Sequence, residues 1–147
     1  VNASVGPGDA MWVLIPGGRP DQELTLTGQA VESAAVSVGI TNSFNFVSYP
    51  LSADAALATT DFTDDGGMGS IIPSLADQVW MWDTASQAYS LYGIHSDGTW
   101  HDASGYPSPW TNAGIAELNV EVGEGFWYVH VGSGFGWTED NPYDENL

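Results

Sequence analysis

His95, Asp97, His101 and Asp102 fall within eight residues of one another, and two imidazoles with a carboxylate form a ligand set that zinc accepts. The same stretch contains Ser96-Asp97-Gly98-Thr99, a standard turn sequence, so a hairpin accounts for these residues without a metal. A second acidic stretch, Asp61-Phe62-Thr63-Asp64-Asp65-Gly66, puts acids at the first and fifth places of a calcium loop and Gly at the sixth. Ile72 stands at the twelfth place, where an EF-hand needs Glu. The EF-hand pattern therefore fails, and the stretch reads as a solvated acidic loop, with an irregular Ca2+ site on Asp61, Asp64 and Asp65 as the alternative. No cofactor is expected, with Ca2+ at this loop as the one exception considered.

Glu117, Glu121 and Glu124 supply carboxylates for a glycosidase acid and nucleophile, but nothing fixes the separation this chemistry requires. There is no G-x-S-x-G elbow, and Gly132-Ser133-Gly134-Phe135-Gly136 has neither the spacing nor the basic partner of a phosphate loop. His130, in an apolar run, reads as packed or hydrogen-bonded. No catalytic residue is assigned, and the chain is read as a non-enzyme.

Binding has a stronger compositional basis. Seven Trp and six Tyr provide rings that stack on sugar faces when exposed. Trp80 and Trp82 share one face of a strand, as a stacking platform or a core layer. Trp100, Trp110 and Trp137 sit near turns and are expected to be exposed. Against this stands the reading that the Trp residues fill cores and subunit contacts. Asn2-Ala3-Ser4 matches a glycosylation sequon, which makes Asn2 a candidate for modification.

Nineteen Asp and Glu face a single cation, Arg19, for a net charge of −18 across 147 residues, with no Lys and no Cys. A phosphate-binding chain needs cations, so nucleic acid and anionic membranes are excluded as partners. Disulfides, thiolate metal sites and Schiff-base chemistry are excluded as well. No apolar run approaches the about 18 residues of a membrane span, so no membrane insertion is expected. The start at Val1-Asn2-Ala3 suggests an exported, extracellular or cell-surface protein after removal of a targeting segment, or an excised fragment. Arg19, between Gly18 and Pro20, is expected to pair with Glu139, Asp140, Asp144 or Glu145 of this or a neighbouring chain.

The elements that must position these residues read as strands. Alternating β-branched and aromatic residues between turn residues mark 10–15, 23–29, 32–39, 43–49, 78–82, 88–93, 99–102, 118–122, 125–130 and 136–138. This predicts an all-β fold, a β-sandwich or jelly-roll-like arrangement of about ten short strands. One short helix is expected over 53–58, with Ser52 as its cap. Residues 61–74 and 103–113 read as loops.

An internal echo organises the chain. Val5-Gly6-Pro7-Gly8-Asp9-Ala10-Met11-Trp12-Val13 aligns without gaps on Val120-Glu121-Val122-Gly123-Glu124-Gly125-Phe126-Trp127-Tyr128. Each copy reads Gly, acid, tiny residue, large apolar residue, Trp: a tight turn followed by the start of a buried strand.

Phe44-Asn45-Phe46-Val47-Ser48-Tyr49-Pro50-Leu51, Val79-Trp80-Met81-Trp82-Asp83, Tyr89-Ser90-Leu91-Tyr92, Trp100 and Gly123-Glu124-Gly125-Phe126-Trp127 together resemble a β-rich module of secreted bacterial surface proteins. Ser43 stands where that motif has Gly, and Val122 where Pro is common. The resemblance covers roughly residues 36–138, about two thirds of the chain. It implies a small extracellular β domain, without known catalytic residues, used in surface assemblies.

The expected organisation is a partial module repeat over 1–35, able to supply an inter-subunit strand, a main β module over 36–138, and an acidic tail over 139–147. The expected function is an extracellular structural subunit. It would assemble with copies of itself into a filament or surface layer, through strand pairing and aromatic burial across a heterologous interface. Met11, Trp12, Val13, Arg19, Phe126, Trp127, Pro142 and Tyr143 are the candidate contacts. The alternative is a carbohydrate-binding β-sandwich, with glycans as partners of the exposed Trp and Tyr rings.

Overall fold

A computed structural model describes residues 4–13, 17–18, 31–104, 110 and 118–143. Asn2, Arg19, the expected strand 23–29, Glu117, Asp144 and Glu145 lie outside them. The fold is all-β, as the alternation predicts. Its described strands are β1 (Ala35–Ile40), β2 (Ser43–Ser48), β3 (Ala55–Ala56), β4 (Gln78–Asp83), β5 (Ala88–Ile94), β6 (Trp100–Asp102), β7 (Asn119–Val120), β8 (Gly125–His130) and β9 (Phe135–Asp140).

Five strands form an antiparallel sheet in the order β2-β8-β4-β5-β6, with β1-β9 and β3-β7 as separate antiparallel pairs. The β1-β9 pair packs on one face of the large sheet, giving a sandwich-like core. Phe62 lies at its centre: its ring stacks on Trp137 of β9 at 3.9 Å and on Tyr128 of β8 at 4.6 Å. Val47, Val79, Ile94, Trp100, Phe126 and Tyr128 complete this layer from the large sheet. Each such side chain contributes about 1.5–3 kcal/mol by leaving water.

The helix lies elsewhere than expected. Residues 55–56 form β3 and Leu57–Thr59 a single 3₁₀ turn, because Ala55 pairs with Val120 and the Leu57 N–H donates to the Leu118 carbonyl at 2.8 Å. Tertiary pairing outweighs the helix propensity of an alanine-rich run that is too short to nucleate alone. A one-turn α-helix, α1 (Phe62–Asp65), sits instead inside the segment read as a loop, and a 3₁₀ turn comes after it at Pro73–Leu75. Burial of Phe62 fixes α1 in place.

Between β1 and β2 the chain passes from one sheet to the other. Ser43 turns that corner with φ +83°, the left-handed region that glycine enters without strain. The Asn45 carboxamide steadies the corner, accepting from the Thr41 N–H at 2.9 Å and donating to the Thr41 carbonyl at 2.9 Å.

Two carboxylates are buried in the core with full sets of donors. Asp77 accepts from the Tyr128 hydroxyl at 2.5 Å, His130 Nδ1 at 2.8 Å, and the Met68 and Val131 N–H groups at 2.8 and 2.9 Å. His130 Nε2 lies 2.8 Å from the Ser133 carbonyl, so both ring nitrogens face acceptors and His130 is the hydrogen-bonded core residue expected. Burial, and then the Asp77 charge, push the Tyr128 hydroxyl well above the usual phenol range. Glu139 accepts from the Trp137 indole at 2.5 Å and the Asp61 N–H at 2.9 Å, and burial raises its pKa above the ordinary carboxylate value. Burial, with Glu139 beside it, pushes the Tyr49 hydroxyl up to about 12. Glu139 and Asp140 thus close β9 and do not belong to a free acidic tail. Asn141 is also buried, tied to the Val31 and Ser33 carbonyls at 3.0 and 3.1 Å.

A candidate interaction face and its N-terminal cover

The strand period places Phe44 and Phe46 of β2, Trp127 of β8, Trp80 and Trp82 of β4 and Tyr89 of β5 on the face of the large sheet opposite the core. Their rings form a continuous chain. Phe46 meets Trp127 at 4.7 Å, Trp127 meets Phe44 at 6.1 Å, and Phe44 meets Trp80 edge-on at 5.4 Å. Tyr89 then joins Trp80 at 6.2 Å to Trp82 at 5.0 Å. Trp12 closes the circuit, stacked on Phe46 at 5.7 Å and edge-on to Trp82 at 6.2 Å. These side chains are half-buried, with Phe44 and Trp12 exposed. Trp80 and Trp82 do share one face, as their spacing predicts.

Trp12 arrives there through the first copy of the echo. In both copies Gly at the third place of the turn has positive φ, +79° at Gly8 and +80° at Gly123. The Asp9 N–H donates to the Gly6 carbonyl at 3.1 Å, and the Glu124 N–H to the Glu121 carbonyl at 2.9 Å. Each acid also reaches back to the first N–H of its turn, Asp9 to Gly6 at 2.8 Å and Glu124 to Glu121 at 3.1 Å. Pro7 and Val122 hold the second place, which favours proline. Val122 cannot be proline without loss here, because its N–H donates to Asp54 at 2.9 Å.

Beyond the turn the copies part. Residues 125–130 become β8, between β2 and β4. Residues 10–13 form no strand, contrary to expectation: one bridge, Asp9 to Val47, ties the segment to the outer edge of β2, with the Ser48 N–H donating to the Gly8 carbonyl at 3.0 Å. The chain then crosses Gly125, where a Cβ would meet the Ala10 Cβ at 2.9 Å. Met11, Trp12 and Val13 stay 40%, 54% and 53% exposed, whereas Phe126 and Tyr128 are 1% and 0% exposed. Phe126 is therefore a core residue and no assembly contact. Trp127 is half-buried on the aromatic face, and Pro142 and Tyr143 are exposed near the end of β9.

Trp100 and Trp137 are likewise buried, and cannot stack on a sugar. Proximity to turns misled here: the Trp100 indole donates to the Leu57 carbonyl at 3.2 Å and packs edge-on to Phe62. Trp110 is half-buried over Gly93, its indole donating to the Ser70 carbonyl at 2.8 Å. An open cleft of about 350 Å³ lies at the ends of β4 and β5, with Asp83, Ser90, Asn119 and Glu124 around Trp82 and Tyr92.

Asp61, Asp64 and Asp65 do not converge. Asp61 precedes α1, and Asp65 accepts from the Thr138 N–H at 2.6 Å, so its carboxylate fastens α1 to β9. Among the described residues the metal-ligating side chains that converge are His95, Asp97 and His101. They occupy the β5–β6 hairpin, whose turn forms as read: the His95 N–H donates to the Thr99 carbonyl at 2.8 Å, and Gly98 has φ +83°. The Thr99 hydroxyl and N–H donate to Asp97 at 2.6 and 3.0 Å and hold its pKa below the usual carboxylate range.

The sequence pointed to Trp12, Trp80, Trp82 and Trp127 but missed Phe44, Phe46 and Tyr89; their alternation with Val47 and Ser90 carried that signal. Among the described residues no helix is long and apolar enough to cross a membrane. Compared with protein-family models, with curated proteins and with solved structures, the chain gives no match.

Proposed function

We propose that the chain is a non-enzymatic, extracellular structural subunit that associates with copies of itself across the outer edge of β2 and the adjoining aromatic face. The observation that carries this reading is the exposure of Met11, Trp12 and Val13 beside half-exposed rings and a strand edge with one bridge among the described residues. An edge of this kind is a template for strand addition, and apolar contact area there favours a protein partner. The resemblance to surface modules agrees with it.

The charge sets the conditions. Subunits of net charge −18 repel one another, and with one cation per chain salt bridges cannot hold an assembly. Screening at about 1 M salt shortens the range of that repulsion to about 3 Å and leaves aromatic burial to act. Sedimentation velocity over a concentration series in high salt tests this. The chain should form larger species, and Met11→Ser with Trp12→Ser should remain monomeric with an unchanged fold. A monomer at the highest concentrations, or assembly untouched by the double substitution, would overturn the reading.

One observation favours a second reading, carbohydrate binding: the cleft at Trp82 and Tyr92 combines rings with carboxylate, amide and hydroxyl groups at a size suited to a small ligand. Saturable quenching of Trp fluorescence by one member of a glycan panel, in low salt where the chain is monomeric, would support it.

A further inference from the structure

We propose that His95, Asp97 and His101 bind a divalent transition-metal ion of the zinc class, with water completing the coordination. Their ligand atoms all lie within 4.8 Å of one another. His95 Nδ1 and Asp97 Oδ1 are 3.1 Å apart, near the about 3.3 Å that separates two ligands on a tetrahedral zinc with bonds of 2.0–2.1 Å.

A second observation points to an ion. His95 Nδ1 is buried yet makes no well-directed hydrogen bond, even to the neighbouring Asp97. The imidazole rings of His95 and His101 lie beside each other, 4.6 Å apart at 33°. Thr99 orients the site from behind, donating to Asp97 Oδ1 at 2.6 Å and lying 3.0 Å from His101 Nε2. Asp97 is the outermost of the three, with its side chain 57% exposed, which gives the ion a path from solvent. Two imidazoles select zinc-class ions over Ca2+ and Mg2+, which prefer oxygen.

The hairpin carries β6, which lies at one end of the large sheet's described strand order, so the ion would pin β6 to β5. Trp110 lies 6.1 Å from the His95 ring and 5.7 Å from the His101 ring, close enough to report occupancy.

The full chain, stripped with chelator, is titrated with Zn2+ and then Co2+ in high salt with excess Mg2+, which suppresses diffuse binding by surface carboxylates. The expected result is one equivalent of Zn2+, the visible absorption of four-coordinate Co2+, and quenching by Co2+ that diminishes in Trp110→Phe. His95→Ala, and Asp97→Asn, which keeps the acceptor for Thr99, should each weaken binding on the order of tenfold or more, with an unchanged near-UV circular dichroism spectrum. Zn2+ binding that excess Mg2+ abolishes, or stoichiometric binding indifferent to both substitutions, would overturn the site.

Discussion

The turn at residues 6–9 and the turn at 121–124 have the same hydrogen bonds and the same glycine φ, yet among the described residues one opens a segment with one β-bridge and the other a central strand. Local chemistry therefore decides the turn, and position in the sheet decides whether the next residues pair. Residues 125–130 find partners on both sides, and their anchorage continues inward through Tyr128 and His130 to Asp77. Among the described residues the N-terminal copy lies at the outer edge of β2, and its Trp12 falls on the aromatic face. The contrast is the ground for the proposal that a second chain completes the N-terminal copy.

The contrast can be broken most forcefully at Asp77. Replacement by Ala strands the His130 ring, the Tyr128 hydroxyl and two N–H groups, and should cost about 3–5 kcal/mol in denaturant unfolding. Phe126→Ala should cost a similar about 3–5 kcal/mol by opening a core cavity, while its counterpart Met11→Ala should stay within about 0.5 kcal/mol under monomeric conditions. Equal costs would mean that both copies are embedded.

Gly8 and Gly123 sharpen the comparison at the turns. Substitution by Ala at either forces positive φ on a Cβ, costing about 1–2 kcal/mol where the turn is part of the folded unit. At Gly8 the new Cβ would also lie 2.2 Å from Val38 Cγ2, whereas at Gly123 nothing lies within 4 Å. Gly8→Ala should thus be the more damaging of the pair, provided the first turn is docked on β1. A silent Gly8→Ala would show that it is not.

Ser43 and Glu139 give smaller effects outside both copies. Ser43→Gly should raise stability by up to about 1 kcal/mol, since it relieves the left-handed strain of the corner. For Glu139, burial favours the protonated form. Its stabilising contribution is full below the ordinary carboxylate pKa of about 4.3 and is lost as pH rises through the elevated folded value. Glu139→Gln keeps an acceptor for Trp137 and Asp61, so its unfolding free energy should lack that loss when compared with the parent chain from pH 4 upward.

These regions also mark how far the sequence could be read. Strand 125–130 was legible to the residue because its alternation is strict and both its neighbours exist. The two turns were legible because Gly followed by an acid acts locally. Residues 10–13 carry an equally good strand pattern and form none among the described residues: after the Asp9–Val47 bridge Ala10 sits over Gly125 and Trp12 stacks on Phe46, a docking that no local pattern reports. The helix misplacement has the same origin: 53–58 has the propensity, but the pairing of Ala55 with Val120 decides. Trp100 and Trp137 were misjudged because nearness to a turn says nothing about which layer covers a side chain. Asp77 carried no pattern at all; its role emerges only when Met68, Tyr128, His130 and Val131 converge on it.

The central claim, that the N-terminal copy is completed by another chain, is met most directly by residue-resolved hydrogen exchange at two concentrations in high salt. In the dilute chain the amides of Met11, Trp12 and Val13 should exchange rapidly while those of Trp127 and Tyr128 are protected. In the concentrated chain Met11 to Val13 should gain protection together with Phe44 and Phe46 on the β2 edge. Protection of Met11 to Val13 that is the same at both concentrations, or assembly that leaves them unprotected, would contradict the account.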